Sequence, residues 1–137
     1  SLKVLQLEGF DLTSDKLSRI GTSLPNLQKL KLSDASIQGG KEWNMEQVTF
    51  HNLKSLKLST SSFSEWQVIA DESFPVLEEL IIEYCKELKE IPESFGDIPS
   101  LKYISVDESS QLKESALKIK EYVEELTGED RLRVTLW

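Results

Sequence analysis

The chain has 137 residues, 39% hydrophobic and 29% charged, and its 24 acidic and 16 basic side chains give a net charge of −8. Such a composition excludes a disordered tail or a collagen-like repeat, and the length suits one domain with a sizeable core. The acidic balance argues against nucleic acid and anionic membrane as ligands, and no apolar run is long enough for direct membrane insertion.

One Cys and one His are too few for a disulfide framework, a cysteine-rich zinc site or a multi-histidine metal site. Asn26, Asn44 and Asn52 all fail the Asn-x-Ser/Thr pattern, so an intracellular, cytoplasmic setting is expected. Charge is uneven along the chain: residues 1–60 carry net +2 and residues 61–137 net −10. The strand-like Leu2-Lys3-Val4-Leu5 follows Ser1 at once, without an initiator Met or a leader pattern, which reads as a piece of a longer chain with a cut N-terminal end.

The pattern Leu-x-x-Leu-x-Leu occurs at Leu2/Leu5/Leu7, Leu27/Leu30/Leu32 and Leu53/Leu56/Leu58, with degenerate copies at Leu77/Leu80/Ile82 and Leu101/Ile104/Val106. The starts near 2, 27, 53, 77 and 101 lie 24 to 26 residues apart, within the span of roughly 20–29 typical of leucine-rich repeats. The last two apolar positions of each copy alternate with polar ones, the period of a strand with one buried face. No such strand can bury that face alone, so the copies must stack. The fold expected over residues 1–111 is an α/β leucine-rich-repeat solenoid, a horseshoe with a parallel sheet on its concave side.

A turn should follow each strand, at Phe10, Ala35, Ser61, Cys85 and Ser109, where small residues fit; Phe10 departs and predicts a distorted first turn. On the convex side, residues 13–23 read as a short helix capped by Ser14, with Leu17, Ile20 and Leu24 on one face and Gly21 as the stop. Segments 38–50 and 62–74 read as irregular loops pinned by aromatics, among them Trp43, Phe50, Phe63 and Trp66. In 86–100, Leu88, Ile91, Phe95 and Ile98 should point inward. Leu112, Ala116, Ile119, Val123 and Leu126 form a helical stripe, with Ser109 or Ser110 as cap and Gly128 as end. Leu132 to Leu136 alternates as a further strand, so residues 112–137 are expected to cap the last repeat.

No catalytic constellation emerges, and no cofactor or metal is expected in this chain. Ala35-Ser-Ile-Gln-Gly-Gly-Lys41-Glu42 lacks the first Gly and the Ser/Thr after Lys of a phosphate loop, and reads as a Gly-Gly turn. Cys85 reads as a buried turn residue and His51 as a surface or capping residue; the acidic pairs Glu78/Glu79 and Glu124/Glu125 read as solvated surface.

Three stretches carry a family resemblance: Phe74-Pro-Val-Leu-Glu-Glu-Leu, the run from Cys85 through Leu88-Lys-Glu-Ile-Pro92 to Leu101, and Glu114-Ser-Ala-Leu-Lys-Ile-Lys-Glu-Tyr. The sequence resembles the C-terminal repeats of plant coiled-coil nucleotide-binding leucine-rich-repeat immune receptors, of the nightshade late-blight-resistance type. The resemblance implies a regulatory domain that senses a pathogen effector, restrains the receptor's own nucleotide-binding domain, or does both, and so controls defence and hypersensitive cell death. It also implies ADP or ATP in that domain, which lies outside this chain, and leaves membrane-associated or nuclear placement open for the whole receptor. The alternative is a scaffold or helper-receptor module that touches no effector.

The expected contact surface is the concave face, where Lys29, Lys31 and Lys57 make a basic cluster beside Glu79, Ile81, Glu83, Tyr103 and Asp107. The cut N-terminal end, with one edge unpaired, predicts weak self-association.

Overall fold

Each repeat carries its apolar side chains two residues apart, and in the computed structural model, which describes residues 2–38, 41–108 and 110–137, that spacing becomes one strand per repeat. Along the chain the elements are β1 (Val4–Glu8), β2 (Asp11–Thr13), α1 (Ser14–Ser23), β3 (Lys29–Ser33), β4 (Ser36–Gln38), β5 (Glu42–Asn44) and β6 (Ser55–Ser59). There follow β7 (Glu65–Gln67), α2 (Ala70–Ser73), β8 (Glu79–Glu83), a 3-10 helix (Glu93–Asp97), β9 (Tyr103–Val106), α3 (Leu112–Thr127) and β10 (Arg133–Leu136). The fold is α/β, with a six-stranded parallel sheet in the order β1-β3-β6-β8-β9-β10.

The register aligns two apolar columns on the core face: Leu5-Leu30-Leu56-Leu80-Ile104-Val134 and Leu7-Leu32-Leu58-Ile82-Val106-Leu136. The inner eight of these side chains are at most 2% exposed, whereas Leu5, Leu7, Val134 and Leu136 on the two outer strands are only half-buried. Burying one such side chain fully stabilises the fold by about 1.5–3 kcal/mol, so the stacked rungs hold most of the driving force.

Before each inner strand of the first five repeats a tight turn closes, with Leu27, Leu53, Leu77 and Leu101 donating their amides to the carbonyls of Leu24, Phe50, Phe74 and Ile98. Pro25, Pro75 and Pro99 occupy these turns, and His51 takes the equivalent place in the second, exposed. After the strands the backbone enters the left-handed region at Gly9, Asp34, Thr60 and Tyr84, with φ of 64°, 52°, 53° and 54°. Gly9, Asp34 and Thr60 donate their amides to the carbonyls of Ser33, Ser59 and Glu83 on the next strand. The first turn is therefore regular, not distorted. Ser36 N bonds Phe10 O just as Ser62 N bonds Ala35 O, and Phe10 fits because the outermost repeat leaves it half-exposed.

Thr60 is β-branched and exposed, and its left-handed backbone costs on the order of 1–2 kcal/mol. Thr60→Asn should raise the urea midpoint, by up to about 1 kcal/mol of stability, because Asn tolerates that conformation. A lowered midpoint would show that the threonine side chain holds the turn.

The outer layer corrects several expectations. Segments 38–50 and 62–74 are not irregular loops: β2 pairs β4 and β5 pairs β7, both in parallel, and α2 closes the third repeat. Trp43 and Trp66 are register partners whose rings stack at 5.4 Å, and Phe63 meets both edge-on. The indole N–H of Trp43 donates to Ser18 Oγ at 3.3 Å, and that of Trp66 to Met45 Sδ at 3.1 Å. The row continues through Phe95, Phe74 and Phe50, all buried. Between this layer and the main sheet lies the core.

The helix of the first repeat forms where expected, but Thr13 caps it, accepting from the amide of Lys16, while Ser14 Oγ accepts from the amide of Asn44. Gly21 does not stop it. The helix runs on to Ser23, and the Gly21 backbone lies so close to the Phe50 ring that an added Cβ would stand 3.1 Å from it.

In 86–100, Leu88, Ile91, Phe95 and Ile98 are buried as expected. α3 buries Leu112, Ala116, Ile119 and Val123, but Leu126 is 60% exposed and leaves the stripe. Its cap position is Gln111, with Ser110 Oγ accepting from the amide of Leu112, and Gly128 ends it at φ 71°. β10 then joins β9 as a sixth rung, extending the sheet. Ser109 and the Gly39-Gly40 turn lie outside the described residues.

Candidate functional site

Among the described residues no element lies over the second face of the main sheet, and its side chains stand in registered columns whose successive members are about 4.8 Å apart. One column reads Val4-Lys29-Ser55-Glu79-Tyr103-Arg133 and the next Gln6-Lys31-Lys57-Ile81-Ser105-Thr135. A third begins Glu8-Ser33-Ser59-Glu83. Seven of the eight residues picked from the sequence stand in these columns. Asp107 lies just past β9, where it lines a rim depression with Cys85, Lys86 and Gln111.

The basic cluster is smaller than its three lysines suggest. Lys57 reaches diagonally to Glu83, with Nζ 2.7 Å from Oε1, and both side chains are partly covered. That pair neutralises one member of each predicted cluster. Among the described residues Lys29 and Lys31 have no ion-pair partner, so they keep their positive field at the β3 end.

Toward the other end the chemistry changes. Tyr103 stands between Glu79 and Arg133 in the register, and the Arg133 guanidinium lies over its ring, 5.0 Å from the centroid. Hydrogen bonds from the side chains of Thr135 and Ser105, with the Arg133 charge, hold the Tyr103 phenol below its usual range. At the strand ends Tyr84 and Trp137 meet edge to face at 5.3 Å, with 52% and 45% of their surfaces exposed. Arg, Tyr and Trp are the residues that most often anchor protein interfaces.

Sequence reasoning missed Arg133, Thr135, Tyr84 and Trp137. The signal was present for the first two: the alternation of 132–136 marks a strand, and carrying the columns one rung further places both on this face. Tyr84 occupies the left-handed turn position, which leaves no mark in a sequence that lacks glycine there.

The remaining candidates behave structurally. Cys85 is buried, and that burial pushes its thiol pKa up, so the thiol stays protonated at neutral pH. Trp43 and Trp66 lie in the core. Among the described residues no helix is long and apolar enough to cross a membrane. The open face offers ion pairs, hydrogen bonds and aromatic contacts, the means of recognition.

No family model matches the chain. It is 41% identical over 130 residues to the late blight resistance protein homolog R1B-13 of Solanum demissum, and 42% identical over 130 residues to homolog R1B-12 of the same plant. Each alignment takes in 95% of this chain but only 11% and 9% of the relative, so the chain spans about a tenth of the length of the curated relatives it matches.

Proposed function

We propose, on the strength of this similarity to late blight resistance protein homologs of a nightshade, that the chain is a leucine-rich-repeat recognition module of an intracellular immune receptor acting in plant disease resistance. Its open sheet face docks a protein partner. The first partner is the receptor's own nucleotide-binding domain, which the module restrains, and a pathogen effector competes for or adjoins the same face. The observation that carries this reading is the open face itself: a strip running from Lys29 and Lys31 to Tyr103, Arg133 and Trp137, which among the described residues has no element upon it and no ion-pair partner for the two lysines.

Lys29 and Lys31 supply steering and the aromatic end supplies anchoring. Lys29→Glu with Lys31→Glu should weaken association with the nucleotide-binding domain of the same receptor by about tenfold or more at low salt, and wild-type association should fall as salt rises. Lys57 is left out of this test because its charge is engaged by Glu83. Isothermal titration at two ionic strengths reads both effects, and unchanged affinity of the double variant at low salt removes this face as the contact.

A further inference from the structure

β3 and β6 are neighbouring inner strands, and their open-face side chains form one cell of the sheet. β3 reads Lys29-Leu-Lys-Leu-Ser33 and β6 reads Ser55-Leu-Lys-Leu-Ser59, so Lys29 stands opposite Ser55, Lys31 opposite Lys57 and Ser33 opposite Ser59. Partners across the two strands are about 4.8 Å apart, and alternate residues along one strand about 6.6 Å. Lysine carries its charge on a long flexible stem, so the ammonium groups of Lys29, Lys31 and Lys57 and the Ser55 hydroxyl can converge on one group above the cell.

Within the chain this cell wants an acceptor. Among the described residues Lys29 and Lys31 have no ion-pair partner, and the hydroxyls of Ser33, Ser55 and Ser59 have no hydrogen-bond partner. Carboxylates border the cell: Glu79 stands opposite Ser55, Glu83 opposite Ser59 and Glu8 opposite Ser33. Glu83 engages Lys57, so the positive charge of the cell rests on Lys29 and Lys31, and an anion is held to their side. A lone carboxylate would compensate one of these lysines. A phosphoryl group on a side chain carries about −1.5 to −2 charge at pH 7 and three acceptor oxygens, which answers both lysines and leaves an oxygen for Ser55.

We infer that the partner segment lying over β3 and β6 carries a phosphorylated side chain, its phosphoryl group seated between Lys29, Lys31 and Ser55. The inference rests on the proposed docking of a protein at the open face, and names what that protein presents at the basic end. Long-range steering needs only net charge, whereas this seat needs donors that converge on one point, so the two separate by experiment.

The test is titration of the chain, followed by two-dimensional NMR, with peptides Gly-Gly-Ser-X-Ser-Gly-Gly in which X is phosphoserine, glutamate or serine. The phosphoserine peptide is expected to move the amide signals of Lys29, Lys31 and Ser55 and to bind about tenfold or more tightly than the glutamate peptide, and the serine peptide to move none. Lys29→Ala with Lys31→Ala should weaken phosphopeptide binding by about tenfold or more. Lys86→Ala, which removes a charge from the rim instead, should change it less than about twofold. Equal binding of the phosphoserine and glutamate peptides overturns the proposal, since net charge alone would then suffice. So does equal weakening by Lys86→Ala, or inorganic phosphate binding more tightly than the phosphopeptide, which would make a free anion the ligand. If Lys29→Glu with Lys31→Glu loses the nucleotide-binding domain while the phosphopeptide does not bind, the docking face stands and the phosphoryl seat falls. Phosphopeptide binding with unchanged domain association gives the reverse.

Discussion

Trp43→Ala is expected to remove about 3–5 kcal/mol of stability, the range for deleting a large buried aromatic. Trp43 is fully buried and touches three separate parts of the fold. Its ring stacks on Trp66 in the next repeat, Phe63 packs against it edge-on, and its N–H reaches Ser18 on α1. Ser18 Oγ in turn donates to Asn44 O at 2.9 Å, so the indole secures a link between the first helix and β5. Alanine would leave a cavity that the rigid rings of Trp66 and Phe63 cannot close, and an unpaired acceptor on Ser18. Trp43→Phe keeps an aromatic ring but loses the N–H, and should cost roughly 1–3 kcal/mol. Urea unfolding with an unchanged slope reads both values. A loss under about 1 kcal/mol for Trp43→Ala would mean that the outer layer contributes little to the stack.

Leu56→Ala should cost about 2–5 kcal/mol, since Leu56 is fully buried between Leu30 and Leu80 and its removal opens a void inside the column. The next residue, Lys57, faces the other way, and Lys57→Ala should cost about 1 kcal/mol or less through its partly covered pair with Glu83. Adjacent residues thus separate the two faces. Equal midpoints for the two variants would place the strand in the wrong register.

The main sheet was legible because two signals coincide there: a period of two within each strand and a period near 25 between strands. Together they assign every core column and put seven of the eight picked residues on the open face. The outer strands were hidden by their length. Three residues, as in Glu42-Trp43-Asn44, show no alternation, and only the pairing of Trp43 with Trp66 reveals a ladder. The left-handed turns were hidden because Asp34, Thr60 and Tyr84 carry side chains, and what holds them there is the stack of strands, not local preference. Gly21 misled for a related reason: it reads as a helix stop, but it is small to admit Phe50 from the next repeat. At the site, the columns could be read but the pairing of Lys57 with Glu83 could not, since it runs diagonally and depends on side-chain reach. The same limit hid the stacking of Arg133 on Tyr103.

The central claim is that the open sheet face, not the outer layer, receives the partner. Hydroxyl-radical footprinting of the proposed full-length receptor tests it most directly, comparing the intact protein with one whose proposed nucleotide-binding domain has been released by cleavage of the connecting linker. The account predicts protection of Ile81, Tyr103 and Trp137 in the intact form and equal labelling of Ile69 and Leu117 in both. Protection at Ile69 or Leu117, with Ile81, Tyr103 and Trp137 labelled alike in the two forms, would contradict it.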